Sequence, residues 1–142
     1  MRYLLLIALM GWAYICNAQS MPKWVTQKPV SNNSTYYYRV TIGEGINYDK
    51  AYSSAFAKAI IESSWKIGVK VKSEDDINTI ENGIYENITI PENQKKLAMN
   101  KVCEYRESFN DSGKTYIRLY ILWQVAATGN TTPIFDDFSD CD

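Results

Sequence analysis

Ser63 and Lys66 have the spacing of the nucleophilic serine and its lysine in the Ser-x-x-Lys motif of penicillin-binding enzymes. The partner motifs Ser-Asp-Asn and Lys-Thr-Gly are absent from the sequence. A serine three residues ahead of a lysine also arises by chance, so we expect no catalysis at this pair. The chain contains no histidine, which removes Ser-His-Asp and Cys-His catalysis and the commonest zinc ligand.

Three further groups have residue types that could do chemistry. Glu104 and Glu107 could act as an acid and a base, but strand alternation predicts that they lie on opposite faces of a sheet. The acidic run at 74–76 lacks the spaced ligands of a calcium loop and is typical of a solvated loop. Gly43-Glu44-Gly45 lacks the third glycine of a dinucleotide-binding loop, because position 48 is tyrosine. We therefore predict no catalytic residue, no cofactor and no metal site.

The first 18 residues have the pattern of a secretory signal. Arg2 precedes an apolar run that ends at Ile15, and small residues before Gln19 favour cleavage after Ala18. Cys16 offers an alternative, a lipoprotein signal in which this cysteine is acylated, although Ile15 fits that peptidase poorly. We expect an exported protein, which contacts the membrane itself if Cys16 is lipidated.

Composition excludes one class of partner and leaves the cysteines undecided. The net charge of −1 provides no basic excess for phosphates, so we expect no nucleic acid. Cys103 and Cys141 remain after signal cleavage; an internal disulfide, two free thiols and pairing between chains all stay open. We predict a signal peptide at 1–18, a flexible flank at 19–34, one domain at 35–127 and an acidic disordered tail at 128–142.

The elements that would position these residues follow from periodicity. An aromatic and β-branched strand at 36–42 ends at a glycine-rich turn, and an alanine-rich helix runs from about Tyr48 to Ile67. Residues 96–109 and 114–126 flank a turn and form a long hairpin. The prediction is an α+β fold, a single β-α-β-β open sandwich whose antiparallel sheet carries one long helix on one face.

Alternation then assigns the two faces of the predicted sheet. Trp123 lies mid-strand on the apolar face, and we expect it to pack on Phe56 or on the row of Ala51, Ala55 and Ala59. The first strand and the first arm of the hairpin supply the other apolar residues assigned to the helix side. These are Tyr36, Tyr38, Val40, Ile42, Leu97, Met99, Cys103, Tyr105 and Phe109.

The opposite face is rich in tyrosine and arginine, the residues enriched at the energetic centres of interfaces. We predict a contact surface there, for a protein partner or a second copy of the chain. The alternative is a half-exposed sheet held by weak cross-strand pairs. The surface comprises Tyr37, Arg39, Arg106, Tyr116, Arg118 and Tyr120.

Pro22-Lys23-Trp24-Val25, the strand YYYRVTIGEG at 36–45, the alanine-rich helix and the strand YIRLYILWQV at 116–125 resemble the Lpp-twenty-type lipoprotein family. That resemblance implies a dodecin-like β-α-β-β domain and a non-enzymatic protein of the bacterial envelope, periplasmic or associated with the outer membrane. The expected function is a binding or assembly module that contacts an envelope protein or itself. A small-ligand binder is the first alternative, and a hydrolase is the least favoured.

Overall fold

The structure, a computed structural model, describes residues 20–67, 88–90, 95–129 and 132–142. The elements are α1 (Lys23–Thr26), β1 (Tyr36–Gly45), α2 (Tyr48–Lys66), β2 (Ile88–Ile90), β3 (Lys95–Leu97), β4 (Met99–Asp111) and β5 (Lys114–Ala126). A three-stranded antiparallel sheet in the order β1-β5-β4 carries the long helix α2, and β2 pairs with β3 separately. This confirms the predicted α+β fold.

Two predicted segments, the signal peptide at 1–18 and the acidic loop at 74–76, lie outside the described residues. Among the helices that are described, none has the length and apolar character needed to cross a membrane.

Helix α2 packs unusually close to β1 because glycines face it. Its N-terminus is capped by the Asn47 side chain, which accepts a hydrogen bond from the Lys50 amide at 3.0 Å. Ala51 and Ala55 are fully buried, and a Cβ placed on Gly43 would lie 2.5 Å from the Ala55 nitrogen. The prediction that these glycines end the strand is wrong. They belong to β1, and their missing side chains leave room for the helix.

The side of the sheet that α2 covers, here named the helix face, holds the main core. Trp123 lies on it with its ring centroid 5.9 Å from that of Phe56. Its indole nitrogen donates to the Thr41 hydroxyl at 2.8 Å, so the single polar atom of this buried ring is satisfied. The predicted packing of Trp123 on the helix is confirmed.

The register of β1 against β5 reverses the faces expected for β1. Tyr37 lies opposite Val125 and Arg39 opposite Trp123, and directly opposed residues project to the same side of an antiparallel sheet. Tyr37, Arg39 and Thr41 are therefore on the helix face. Tyr36, Tyr38, Val40 and Ile42 project to the other side, here named the far face, so their predicted contact with α2 is wrong.

In β4, an irregularity between Lys101 and Cys103 breaks the alternation. The unpaired residue, Val102, shifts the strand by one position, as a β-bulge does. Met99 consequently packs in the core under α2, whereas Cys103 belongs to the far-face cluster. Cys103, Tyr105 and Phe109 were predicted on the helix face, and the bulge is the physical reason that they are not.

The hairpin between β4 and β5 turns at Ser112 and Gly113, whose φ angles are 51° and 77°. Positive φ at both central residues is the requirement of a tight two-residue hairpin turn that matches strand twist. The predicted hairpin is confirmed, and its strands extend to Asp111 and from Lys114.

Parts of both predicted flanks, 19–34 and 128–142, pack against the far face. Trp24 of α1 is 2% exposed and belongs to a second core with Tyr36, Tyr38 and Leu122. Residues 132–142, here named the strap, add Phe135 and Phe138 to this core. The sheet therefore has apolar clusters on both sides, and apolar character alone could not identify the side covered by α2.

Candidate functional site on the far face of the sheet

The part of the far face nearest the flanks, here named the covered half, is filled by the chain itself. The ring of Phe135 lies 5.7 Å from that of Tyr36, and the ring of Phe138 lies 5.5 Å from that of Tyr38. A disulfide joins Cys103 to Cys141 with a Cα–Cα distance of 5.4 Å, within the usual range for such bonds. This pairing resolves the alternatives that the sequence left open.

Hydrogen bonds fix the strap on the covered half. Gln124, which is 1% exposed, donates from its side-chain amide to the Asp136 carbonyl at 2.6 Å. The Tyr36 hydroxyl donates to the Asp136 carboxylate at 2.8 Å. Burial raises the pKa of the Tyr36 phenol well above its usual value, and hydrogen bonds with Tyr38 and Asp136 act in the same direction.

The remainder of the far face, here named the open half, is centred on Arg118. Its guanidinium donates to Glu44 at 2.6 Å and to Glu107 at 3.3 Å, and lies 4.6 Å from the centroid of the Phe109 ring. The open half comprises Ile42, Glu44, Glu107, Phe109, Tyr116 and Arg118. Within it the Arg118 side chain is 35% exposed and Ile42 is 40% exposed.

Two tyrosines complete the open half. The Tyr116 ring stacks on Phe109 with a centroid distance of 5.6 Å. Tyr120, at the border between the two halves, donates from its hydroxyl to Glu107 at 2.9 Å. Burial and this bond raise the pKa of Tyr120 above its usual value. Arg118 and Tyr120 are thus held by the same carboxylate, which fixes the cation on a rigid strand.

The structure divides the predicted contact surface between the two faces. Tyr116, Arg118 and Tyr120 lie on the far face as expected, whereas the β1 members lie on the helix face. Arg39 pairs with Glu62 of α2. The ammonium of Lys66 lies 3.4 Å from the centroid of the Tyr37 ring. Tyr37 and Arg39 therefore connect β1 to the last turns of α2.

Arg106 is the remaining member of the predicted surface, and it also lies on the helix side. It is exposed and opposes Leu119, because the bulge before it shifts its position in β4. A single surface containing all six predicted residues is therefore wrong, and the far face holds half of them.

The candidate catalytic residues have surroundings that do not favour catalysis. Ser63 is fully buried, and its partner Lys66 is engaged with the Tyr37 ring. Glu104 opposes Ile121 on the helix face while Glu107 opposes Arg118 on the far face, so their predicted separation is confirmed. Within the described residues, no group of histidine, cysteine or acidic side chains has the arrangement of a metal site.

A concave region lies where the start of α2 meets the edge of β4. This cleft of about 500 Å³ is lined by Tyr48, Asp49, Tyr52, Asn100 and Lys101. Beside it, Glu104 accepts hydrogen bonds from the Tyr48 hydroxyl at 2.9 Å and the Lys101 ammonium at 3.0 Å. Burial alone would raise the pKa of Glu104, but the bonds from Lys101 and Tyr48 outweigh it and lower the pKa.

Sequence reasoning missed the strap, although its residues carried a signal. Phe135 and Phe138 are three positions apart in a segment otherwise rich in acidic residues, and Cys141 follows them. Two aromatic rings and a cysteine are unusual in a disordered tail, since such tails contain few apolar side chains.

Comparison with known proteins identifies no relative: no family model, no curated protein and no solved structure matches this chain. The resemblance to the lipoprotein family is therefore carried by the sequence pattern alone.

Proposed function

We propose that this chain is a non-enzymatic module that binds another protein, an envelope partner or a second copy of itself, through the open half of the far face. The observation that carries the proposal is Arg118, a half-buried arginine that lies between Glu44 and Glu107 and against the ring of Phe109. Arginine and tyrosine are enriched among the residues that dominate binding energy.

Preorganisation supports this use of the open half. An arginine that must be ordered on binding loses side-chain entropy, which subtracts from affinity. Here Arg118 already has two carboxylate partners, so a partner meets a fixed cation beside exposed Ile42 and the stacked pair of Phe109 and Tyr116. That combination of a charge and apolar rings is typical of a contact surface.

The disulfide supports an exported location for the module. Disulfides form and persist in oxidising compartments, among them the bacterial periplasm. The Cys103–Cys141 bond is thus consistent with the signal pattern of the first 18 residues. Envelope association is part of the same proposal, and mass spectrometry of the N-terminus from the native host would test cleavage after Ala18 against acylation of Cys16.

Photo-crosslinking tests the contact surface directly. A photoreactive phenylalanine analogue at Tyr116 should give a specific crosslinked product, either with an envelope protein or as a dimer. The matched control carries the analogue at Trp65, which is 61% exposed on α2 and outside the far face. Equal products from both positions, or none from position 116, would contradict the proposal.

Small-ligand binding is the second candidate, favoured by the cleft between α2 and β4. Cavities of this size that combine aromatic walls with a few polar groups are typical of ligand sites. Titration with small molecules extracted from the envelope should then shift the amide NMR signals of Tyr48, Tyr52 and Lys101. If the amide NMR signal of Arg118 shifted instead, the small molecules would bind at the far face and not in this cleft.

A further inference from the structure

The strap is attached to the far face in two different ways along its length. Its first part is held by hydrogen bonds: the Asn33 amide donates to the Ile134 carbonyl at 3.0 Å, and the Ile134 amide donates to the Thr35 hydroxyl at 2.9 Å. Asp136 adds its bonds with Gln124 and Tyr36. These contacts do not involve the cysteines, so residues 134–136 keep their place whether or not the disulfide is formed.

The last part of the strap depends on one residue. In the described part of the chain, the bonds that join residues 139–142 to the sheet and to α1 all run through Cys141. They are the disulfide to Cys103 and the hydrogen bond from the Trp24 indole nitrogen to the Cys141 carbonyl at 3.0 Å. Phe138, just before this segment, contributes the ring contact with Tyr38.

The geometry points to the Cys103–Cys141 disulfide as a redox-controlled clasp on the far face. In the oxidised protein, the clasp holds residues 138–142 over Tyr38 and Trp24. In the reduced protein, this segment leaves, and the surface it covered becomes continuous with the open half through Tyr120. Release of the segment does not depend on the proposed function. Its consequence for partner binding does rest on the proposed function.

The chemistry of opening requires a dithiol reductant. Its thiolate attacks the Cys141 sulfur, the sulfur–sulfur bond breaks, and the electron pair passes to the Cys103 sulfur, which takes up a proton. The second thiol of the reductant then displaces Cys141 as a thiol and becomes part of an oxidised, cyclic disulfide. Two protein thiols and one oxidised reductant result, and a disulfide oxidant reverses the change.

Exposure indicates which sulfur is attacked. Cys103 is 4% exposed, whereas Cys141 is half-buried. A cleft of about 630 Å³ lies beside the strap, with Trp24, Phe138 and Asp140 in its walls. Cys141 is the more exposed cysteine of the pair, and access is one of the factors that set the rate of exchange.

Hydrogen exchange of the full chain, with and without dithiothreitol, measures the opening. Reduction should raise the exchange rates of residues 139–142 at least tenfold, and should raise the exchange of the Trp24 indole proton. Amides in β5 between Leu119 and Val125 should stay protected, with exchange rates that rise only as far as the loss of global stability requires. Cys141→Ser should show the fast rates without reductant and no response to it. Unchanged exchange at 139–142 in the reduced protein would overturn the clasp.

A second measurement separates the clasp from the proposed function. The yield of photo-crosslinked product from position 116 should rise at least twofold when the disulfide is reduced. An opened strap with an unchanged yield would refute regulation by the clasp. The proposed function is judged independently, by the contrast between positions 116 and 65 in the oxidised protein.

Discussion

The covered and open halves of the far face are built on the same strands, yet they are completed differently. In the covered half, Tyr36 and Tyr38 are 2% and 4% exposed, because Trp24 and the strap pack over them. In the open half, Ile42 is 40% exposed, and Arg118 is held by carboxylates that remain partly solvated. Neutral rings favour burial, whereas an ion pair resists it because desolvation is costly.

This difference indicates which part of the far face is buried by the chain's own residues and which part remains accessible to another molecule. The covered half has its apolar area removed from water by the flanks, so its residues should matter mainly for stability. The open half keeps a charge beside half-buried rings and the exposed Ile42, so its residues should matter mainly for binding. Each prediction below tests one side of that contrast.

The largest expected effect is on the covered half. Trp24→Ala should lower the free energy of unfolding by about 3–5 kcal/mol, since it removes a fully buried ring and leaves a cavity. Trp65→Ala is the matched control: its ring is 61% exposed, and the change should stay within about 0.5 kcal/mol. Denaturant unfolding of both variants provides the comparison. If Trp24→Ala lost as little unfolding free energy as Trp65→Ala, α1 would contribute nothing to the stability of the fold.

Loss of the disulfide should lower the free energy of unfolding somewhat less than Trp24→Ala does. Cys141→Ser should lower the free energy of unfolding by about 2–4 kcal/mol, because the bond closes a loop between residues 38 positions apart in the unfolded chain. The wild-type protein in dithiothreitol should unfold at the same denaturant concentration as this variant. A variant as stable as the oxidised protein would mean that the strap gains nothing from the clasp.

Alkaline pH should weaken the covered half through Tyr36. The pKa of this phenol is raised in the folded state, so the unfolded chain loses its proton first as the pH passes about 10. The free energy of unfolding should then fall with a slope of up to about 1.4 kcal/mol per pH unit, and that stability is lost as the pH rises toward the folded pKa.

Tyr36→Phe isolates this contribution from the other tyrosines of the chain. The variant loses the bond to Asp136 at neutral pH but should show a shallower decline above pH 10. Thermal unfolding between pH 8 and pH 11 gives the dependence of stability on pH for the wild-type protein and for the variant. Parallel curves would show that Tyr36 does not cause the decline.

The smallest effect on stability is expected in the open half. Arg118→Ala should change the free energy of unfolding by about 1 kcal/mol or less, because partly exposed ion pairs stabilise proteins weakly. The melting temperature should therefore fall only slightly. A loss as large as that of Trp24→Ala would assign Arg118 a role in folding.

The sequence predicted the parts of the fold that depend on periodicity within one element. The hairpin around Gly113 and the burial of Trp123 both follow from local pattern. The faces of β1 and β4 did not follow, since they depend on a register and on a bulge at Val102 that no alternation rule reveals.

The part of the candidate site that depends on periodicity within one strand was also predictable. Arg118 and Tyr116 alternate regularly with the buried residues of β5, so their face was assigned correctly. Arg39 was misplaced because the far face proved apolar as well, under flanks that reach it from both ends of the domain. Contacts between Trp24 and Cys141 join residues 117 positions apart, and such a separation leaves no periodic signal.

The central claim is that the open half of the far face binds a protein, and one pair of arginines tests it most directly. Arg118 lies at the centre of this half, while Arg106 is exposed on the neighbouring strand and projects to the helix face. The measurement is the affinity of Arg118→Ala and Arg106→Ala for the partner or the second copy that crosslinks at position 116. Arg118→Ala should lower this affinity at least tenfold, and Arg106→Ala should leave it unchanged; equal affinities for the two variants would contradict binding through the open half.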